Sequence, residues 1–176
     1  ISRLLLMPAM IIPAYLINDE SQARFVFLIM FIIIGITDKL DGTLARYLNQ
    51  TTAIGAKLDT IADMVFYPLI ALWLYRFESG VVGGWWNLVY FLLALYFFKM
   101  IVGKIKFGYM PAFHTIGAKT FSASLYFFMI TAILYPDLAK TIFPVLCVIG
   151  YINQMEETYI MLTRDSIDEN IRSVFD

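Results

Sequence analysis

Four carboxylates stand at fixed intervals in a chain otherwise poor in charge. Residues 38–46 read Asp38-Lys39-Leu40-Asp41-Gly42-Thr43-Leu44-Ala45-Arg46, and after eight more come Gly55-Ala56-Lys57-Leu58-Asp59-Thr60-Ile61-Ala62-Asp63. Residues three or four apart share a helix face, so Asp38 pairs with Asp41 and Asp59 with Asp63. The stretches before and after (residues 25–36 and 64–75) are apolar. The pairs should therefore lie near adjacent ends of two helices joined by the polar turn Asn49-Gln50-Thr51-Thr52. Folding at that turn would gather four like charges, each raising the others' pKa. Divalent cations that prefer hard oxygen ligands would relieve that repulsion. Gly42 and Gly55 permit close approach of a bulky ligand. Arg46 presents a planar fork suited to phosphate oxygens.

The pattern D-x2-D-G-x2-A-R-x8-G-x3-D-x3-D, met at every fixed position over residues 38–63, resembles the signature of the CDP-alcohol phosphotransferases. These are integral membrane enzymes of phospholipid synthesis. The resemblance implies transfer of a phosphatidyl or other substituted phosphate group from a CDP-linked lipid, such as CDP-diacylglycerol, to an alcohol, with release of CMP. It implies two Mg2+ or Mn2+ ions held by Asp38, Asp41, Asp59 and Asp63, with Asp63 also the general base. It further implies CDP contacts from Asp38, Asp41, Gly42, Ala45, Arg46 and Gly55, with Thr52 and Lys57 as additions, and a homodimer. The competing reading makes the aspartates helix caps or partners of Lys39, Arg46 and Lys57.

The rest of the chain must hold that stretch in a bilayer. Hydrophobic residues are 60% of the sequence and charged residues 15%, with a mean hydropathy of +0.74. A soluble domain carries roughly a quarter of its residues charged. The sequence predicts an all-α polytopic membrane protein, one domain over residues 1–176, with six transmembrane helices in one bundle. Apolar segments fall at about 4–17, 24–46, 55–76, 85–103, 116–136 and 141–162. The first is short for a core of about 30 Å, and the chain opens on Ile1 rather than Met, so a trimmed N-terminus is expected. Short linkers suit antiparallel neighbours. The single cysteine, Cys147, reads as a packing residue.

Alternate loops then divide the cations ten to three. Arg3, Lys39, Arg46, Lys57, Lys99, Lys104, Lys106, Lys119, Arg164 and Arg172 fall on one side, and Arg24, Arg76 and Lys140 on the other. The richer side, with the aspartates and both termini, is expected to face the cytoplasm of a cytoplasmic membrane, or of an organelle membrane in a eukaryote. Lys104, Lys106, His114 and Lys119 share it and are candidates for an anionic acceptor, against the reading that they are topology charges near anionic lipid. Gly117-Ala118-Lys119-Thr120 resembles the fifth-helix lysine of phosphatidylglycerophosphate synthases, which implies glycerol 3-phosphate. Inositol phosphate, serine and phosphatidylglycerol are the alternative acceptors. Glu156 and Glu157 read as solvated where the last helix leaves the bilayer. The tryptophans read as interfacial belts and packing. Nothing points to nucleic acid. A carboxylate-lined transporter would show broken helices and a repeated half, and an intramembrane prenyltransferase a different acidic spacing in a longer chain.

Overall fold

In the computed structural model most of the described residues are helical, with no strand among them. The described residues are residues 4, 6–48, 53–111, 113, 115–164, 166–167, 171 and 173–175. A 3-10 turn Met7–Met10 leads into α1 (Ile11–Leu16), α2 (Glu20–Tyr47) and α3 (Ala53–Phe77). A helical turn Ser79–Val82 and a 3-10 turn Gly83–Trp85 precede α4 (Trp86–Phe107), α5 (Ile116–Leu134) and α6 (Pro136–Thr163). Among the described residues four helices are long and apolar enough to cross a membrane: Leu58–Phe77, Ser79–Phe107, Ile116–Leu134 and Pro136–Thr163.

Two boundaries differ from the hydropathy reading for physical reasons. α2 begins at Glu20 because Asp19 Oδ1 accepts from the Gln22 N–H at 2.8 Å, a side-chain cap, and Glu20 pairs with Arg24 at 2.7 Å one turn on. Apolar content alone misses such a polar first turn. α6 begins at Pro136, the end of the apolar segment 116–136, rather than at 141. Proline fits the first position of a helix, where its missing N–H costs nothing.

The chain divides into two compact units, Ile1–Glu78 and Ser79–Asp176. In the first, Ala23, Phe27, Phe31 and Ile34 form the buried face of α2, at helical spacing. Phe27 stacks on Trp73 of α3 with centroids 4.0 Å apart, and Phe31 stacks on Phe66 at 6.1 Å. Trp73 is therefore a core residue rather than an interfacial one, and it is buried.

Arg24 ties the start of α2 to the end of α3. Its Nη2 donates to the Phe77 carbonyl at 2.7 Å, and its Nε lies 3.4 Å from Glu78 Oε1. Burial pushes the Glu78 carboxyl up to about 7; Arg24 pulls the other way and Glu20 adds to the rise. The folded value lies above the ordinary 4.5, so folding favours the protonated acid. That stability is fully present below 4.5 and lost as pH rises through about 7, on the order of 3 kcal/mol in all. In detergent, the melting temperature of the parent should fall below that of Glu78→Gln between about pH 5 and pH 8. Parallel curves for the two proteins would refute this.

In the second unit α5 and α6 pack through Leu125, Phe128, Met129 and Ala132 against Ala139, Phe143, Leu146 and Cys147, which is buried and free. The two helices form a hairpin through Tyr135. α4 ends where Gly108 takes the left-handed conformation, φ +79, and returns its N–H to the Lys104 carbonyl. The chain then folds back over α4. A Cβ at Gly103 would collide with Cδ of Pro111, so only glycine admits that rigid ring. Thr115 Oγ1, accepting from the Ala118 N–H at 3.0 Å, opens α5.

Candidate active site

The motif lies in the first unit, on consecutive helices. Asp38 and Asp41 occupy neighbouring turns of the second half of α2, with Gly42 beside them. Gly55, Asp59 and Asp63 fall in the first half of α3. Each pair is one helical turn apart, as its spacing dictates. Asp38 and Asp63 are half-buried, whereas Asp41 and Asp59 are exposed. All four are hard oxygen donors, so the donor set fits a divalent cation of the Mg2+ class. Among the described residues, no group of three or more acidic, histidine or cysteine side chains is placed to hold a metal ion. Thr52 and His114 lie outside the described residues, as do the side chains of Ala45, Arg46 and Lys57.

The basic candidates of the second unit fare unequally. Lys104 and Lys119 are exposed. Lys106 donates to the carbonyls of Met161 (2.8 Å), Leu162 (3.1 Å) and Arg164 (2.7 Å). An ammonium has three protons, and here all three are used at the carbonyl end of α6. In this arrangement it caps a helix and neutralises its dipole.

A buried polar cluster departs from the hydropathy expectation. Lys99 was counted as a topology charge, and Glu157 as solvated. Lys99 is instead 1% exposed and paired with Glu157, itself 4% exposed. Lys99 Nζ also donates to Gln154 Oε1 at 2.9 Å, and it sits 5.1 Å from the Phe113 ring centroid and 5.4 Å from that of Tyr96. A charge buried in an apolar helix is tolerated only with such compensation. Two signals were available in the sequence: a lysine amid the apolar run of α4, and the run Asn153-Gln154-x-Glu156-Glu157 on α6. Residues 153 and 157 share a face.

Comparison with known proteins bears on what these elements do. The model of the CDP-alcohol phosphatidyltransferase family matches residues 1–152. The chain belongs to that family. The match spans both units and contains the whole aspartate motif of this family member. Its relatives include proteins named CDP-diacylglycerol–glycerol-3-phosphate 3-phosphatidyltransferase. That of Wigglesworthia glossinidia brevipalpis is 49% identical over 63 residues, 36% of this chain and 34% of the relative. That of Haemophilus influenzae is 46% identical over 65 residues, 37% of this chain and 34% of the relative. That of Aquifex aeolicus is 35% identical over 105 residues, 60% and 54% of the two chains. This phosphatidyltransferase-family chain thus spans a third to about half the length of those curated relatives. No solved structure matches it significantly.

Proposed function

We propose that the chain is an integral membrane transferase of phospholipid biosynthesis. It moves the phosphatidyl group of CDP-diacylglycerol to glycerol 3-phosphate and releases CMP. The observation that carries this reading is the unbroken aspartate motif on consecutive helices, inside the region matched by the family. The acceptor rests on the names of the relatives and on Lys119 in its Gly117–Thr120 run.

In this reading Asp38, Asp41, Asp59 and Asp63 hold two divalent ions, Mg2+ or Mn2+. Those ions, when bound, neutralise the diphosphate and the departing CMP. Asp38, Asp41, Gly42, Ala45, Arg46 and Gly55 are assigned to CDP binding, with Thr52 and Lys57 as additions. Asp63 takes the proton of the acceptor hydroxyl as the new oxygen–phosphorus bond forms. The bond to CMP breaks and its electron pair leaves with CMP. Little else is required of the protein beyond alignment of the two substrates. Lys104, Lys119 and His114 meet the acceptor's phosphate.

The reading includes six crossings in one domain over residues 1–176, a site facing the cytoplasm, and a homodimer. The four apolar helices, the cation split, nine to three once the buried Lys99 is set aside, and the family match support the membrane setting. The direct test is CMP release from CDP-diacylglycerol by purified protein, with and without Mg2+, across glycerol 3-phosphate, inositol phosphate, serine and phosphatidylglycerol. Release with glycerol 3-phosphate that stops on chelation supports the assignment. No release with any alcohol would end it. Lys119→Ala should raise the KM for glycerol 3-phosphate roughly tenfold or more, the effect of losing a charged hydrogen bond. An unchanged KM would return Lys119 to the cations that only set topology.

A further inference from the structure

The end of the first unit away from the motif carries a buried acid that the proposed chemistry does not use. Glu78 follows the last residue of α3 and is 3% exposed. Its N–H closes the final turn on the Leu74 carbonyl at 2.9 Å. Its carboxyl therefore sits at the negative end of the α3 dipole, where a second negative charge is repelled. The cation beside it is Arg24, and that guanidinium is already engaged. Nη2 donates to Glu20 Oε1 and to the Phe77 carbonyl, each at 2.7 Å. Nε stands 3.4 Å from Glu78 Oε1, and neither of these buried atoms has a hydrogen-bond partner. A charge-assisted bond between them would be roughly 2.8 Å long. The spacing is that of a guanidinium beside an uncharged acid.

The other groups at this end offer a charged Glu78 no better partner. On α2, Asp19 caps the helix through the Gln22 N–H, and Glu20 adds a like charge. On α3, Arg76 lies over the Phe77 ring, 4.9 Å from its centroid. α1 and the 3-10 turn before it pack on both helices, and their titratable group, Tyr15, is exposed. Residues 79–85 carry no titratable side chain. Burial accordingly pushes the Glu78 carboxyl up to about 7, with Arg24 pulling down and Glu20 pushing up. A carboxylate held here costs more than one stretched ion pair returns, and the half-buried Arg24 marks a short way to water.

We propose that the Arg24 clasp on the end of α3 is a pH-operated latch, closed while Glu78 is a neutral acid and released when Glu78 gives up its proton. On release the carboxylate turns to water and draws the guanidinium from the Phe77 carbonyl. The bond tying the start of α2 to the end of α3 is then lost, and both ends fray as far as the Phe27–Trp73 stack one turn in. Asp38 and Asp63 stand about 20 Å along their helices from the latch, beyond direct contact with it. The latch does not depend on the transferase reading.

The test is hydrogen exchange of the full chain in detergent, read by mass spectrometry on peptides covering residues 23–27 and 73–78 across a pH series. Corrected for the intrinsic pH dependence of exchange, these amides should exchange roughly tenfold faster per pH unit between about pH 5 and pH 7, and level off above that. Peptides from α5 and α6 should not follow. Glu78→Gln, which keeps a neutral side chain of the same shape, should hold the ends closed and remove the pH dependence. Glu20→Gln, at an exposed position, should move the levelling point to lower pH, since Glu20 helps to keep the proton on Glu78. Parent exchange that matches Glu78→Gln across the range overturns the latch. So does an equal quickening throughout α5 and α6, which would mark a general loosening rather than release of one clasp.

Discussion

Asp63→Asn is expected to lower turnover by roughly 10²–10⁴-fold, the range a general base contributes, while CDP-lipid binding changes little. Asparagine keeps the shape of the side chain and an oxygen but cannot accept a proton at neutral pH. Asp63 is half-buried on α3, one turn beyond the exposed Asp59, so the substitution removes a basic oxygen without opening a void. The measurement pairs CMP release with the thermal shift that CDP-diacylglycerol induces in the purified protein. Two other outcomes would change its role. Loss of the thermal shift with catalysis intact at saturating substrate makes Asp63 a ligand-holding residue. Loss of both leaves Asp63 as a metal-holding residue alone, with the base elsewhere. Asp59→Asn is the comparison: if Asp59 serves only to hold cations, added Mg2+ should restore part of its activity, and none of that of Asp63→Asn.

The second large effect lies away from the motif. Lys99→Met should destabilise the protein by about 3–5 kcal/mol, because it strands the buried Glu157 carboxylate without its cation. Adding Glu157→Met should recover most of that loss. A buried ion pair replaced whole by apolar groups of similar volume is often neutral or better. Gln154 would then lack the ammonium it accepts from at 2.9 Å, so recovery should fall short by about 1 kcal/mol. Unfolding of the two single variants and the double variant in one detergent forms the cycle. Additive losses would show that the two charges do not depend on each other.

The aspartate motif was the most legible part of the chain, as to its helices and its family. Its information is local: fixed residue types at helical spacings within 26 residues, on segments whose apolar character names them helices. The broad architecture followed from hydropathy for the same reason. Helix starts at Glu20 and Pro136 were harder to read, since capping and the first turn are polar or proline-bearing by nature. What the sequence could not place was tertiary. Lys99 meets Glu157 58 positions away, and Lys106 reaches carbonyls at the end of α6 that no local rule connects to it. A lysine in or beside an apolar segment looks the same whether it marks membrane orientation, caps a distant helix or neutralises a buried acid. The lysine run shows nothing of the packing at Gly117, where the side chains of Asn153 and Glu156 reach in from α6.

The stack of Phe27 on Trp73 has a practical consequence. Trp73 is the indole of residues 1–78, shut away from water with no hydrogen-bond partner for its Nε1, while Trp85 and Trp86 belong to residues 79–176 and Trp85 is 49% exposed. Fluorescence from an indole in apolar surroundings is blue compared with one in water, so the protein carries a spectral label on each unit. A red shift confined to the short-wavelength part of the emission would report loosening of the aspartate-bearing unit alone. Replacing Trp85 and Trp86 by phenylalanine would leave that light as a single reporter on the half of the molecule that carries the motif.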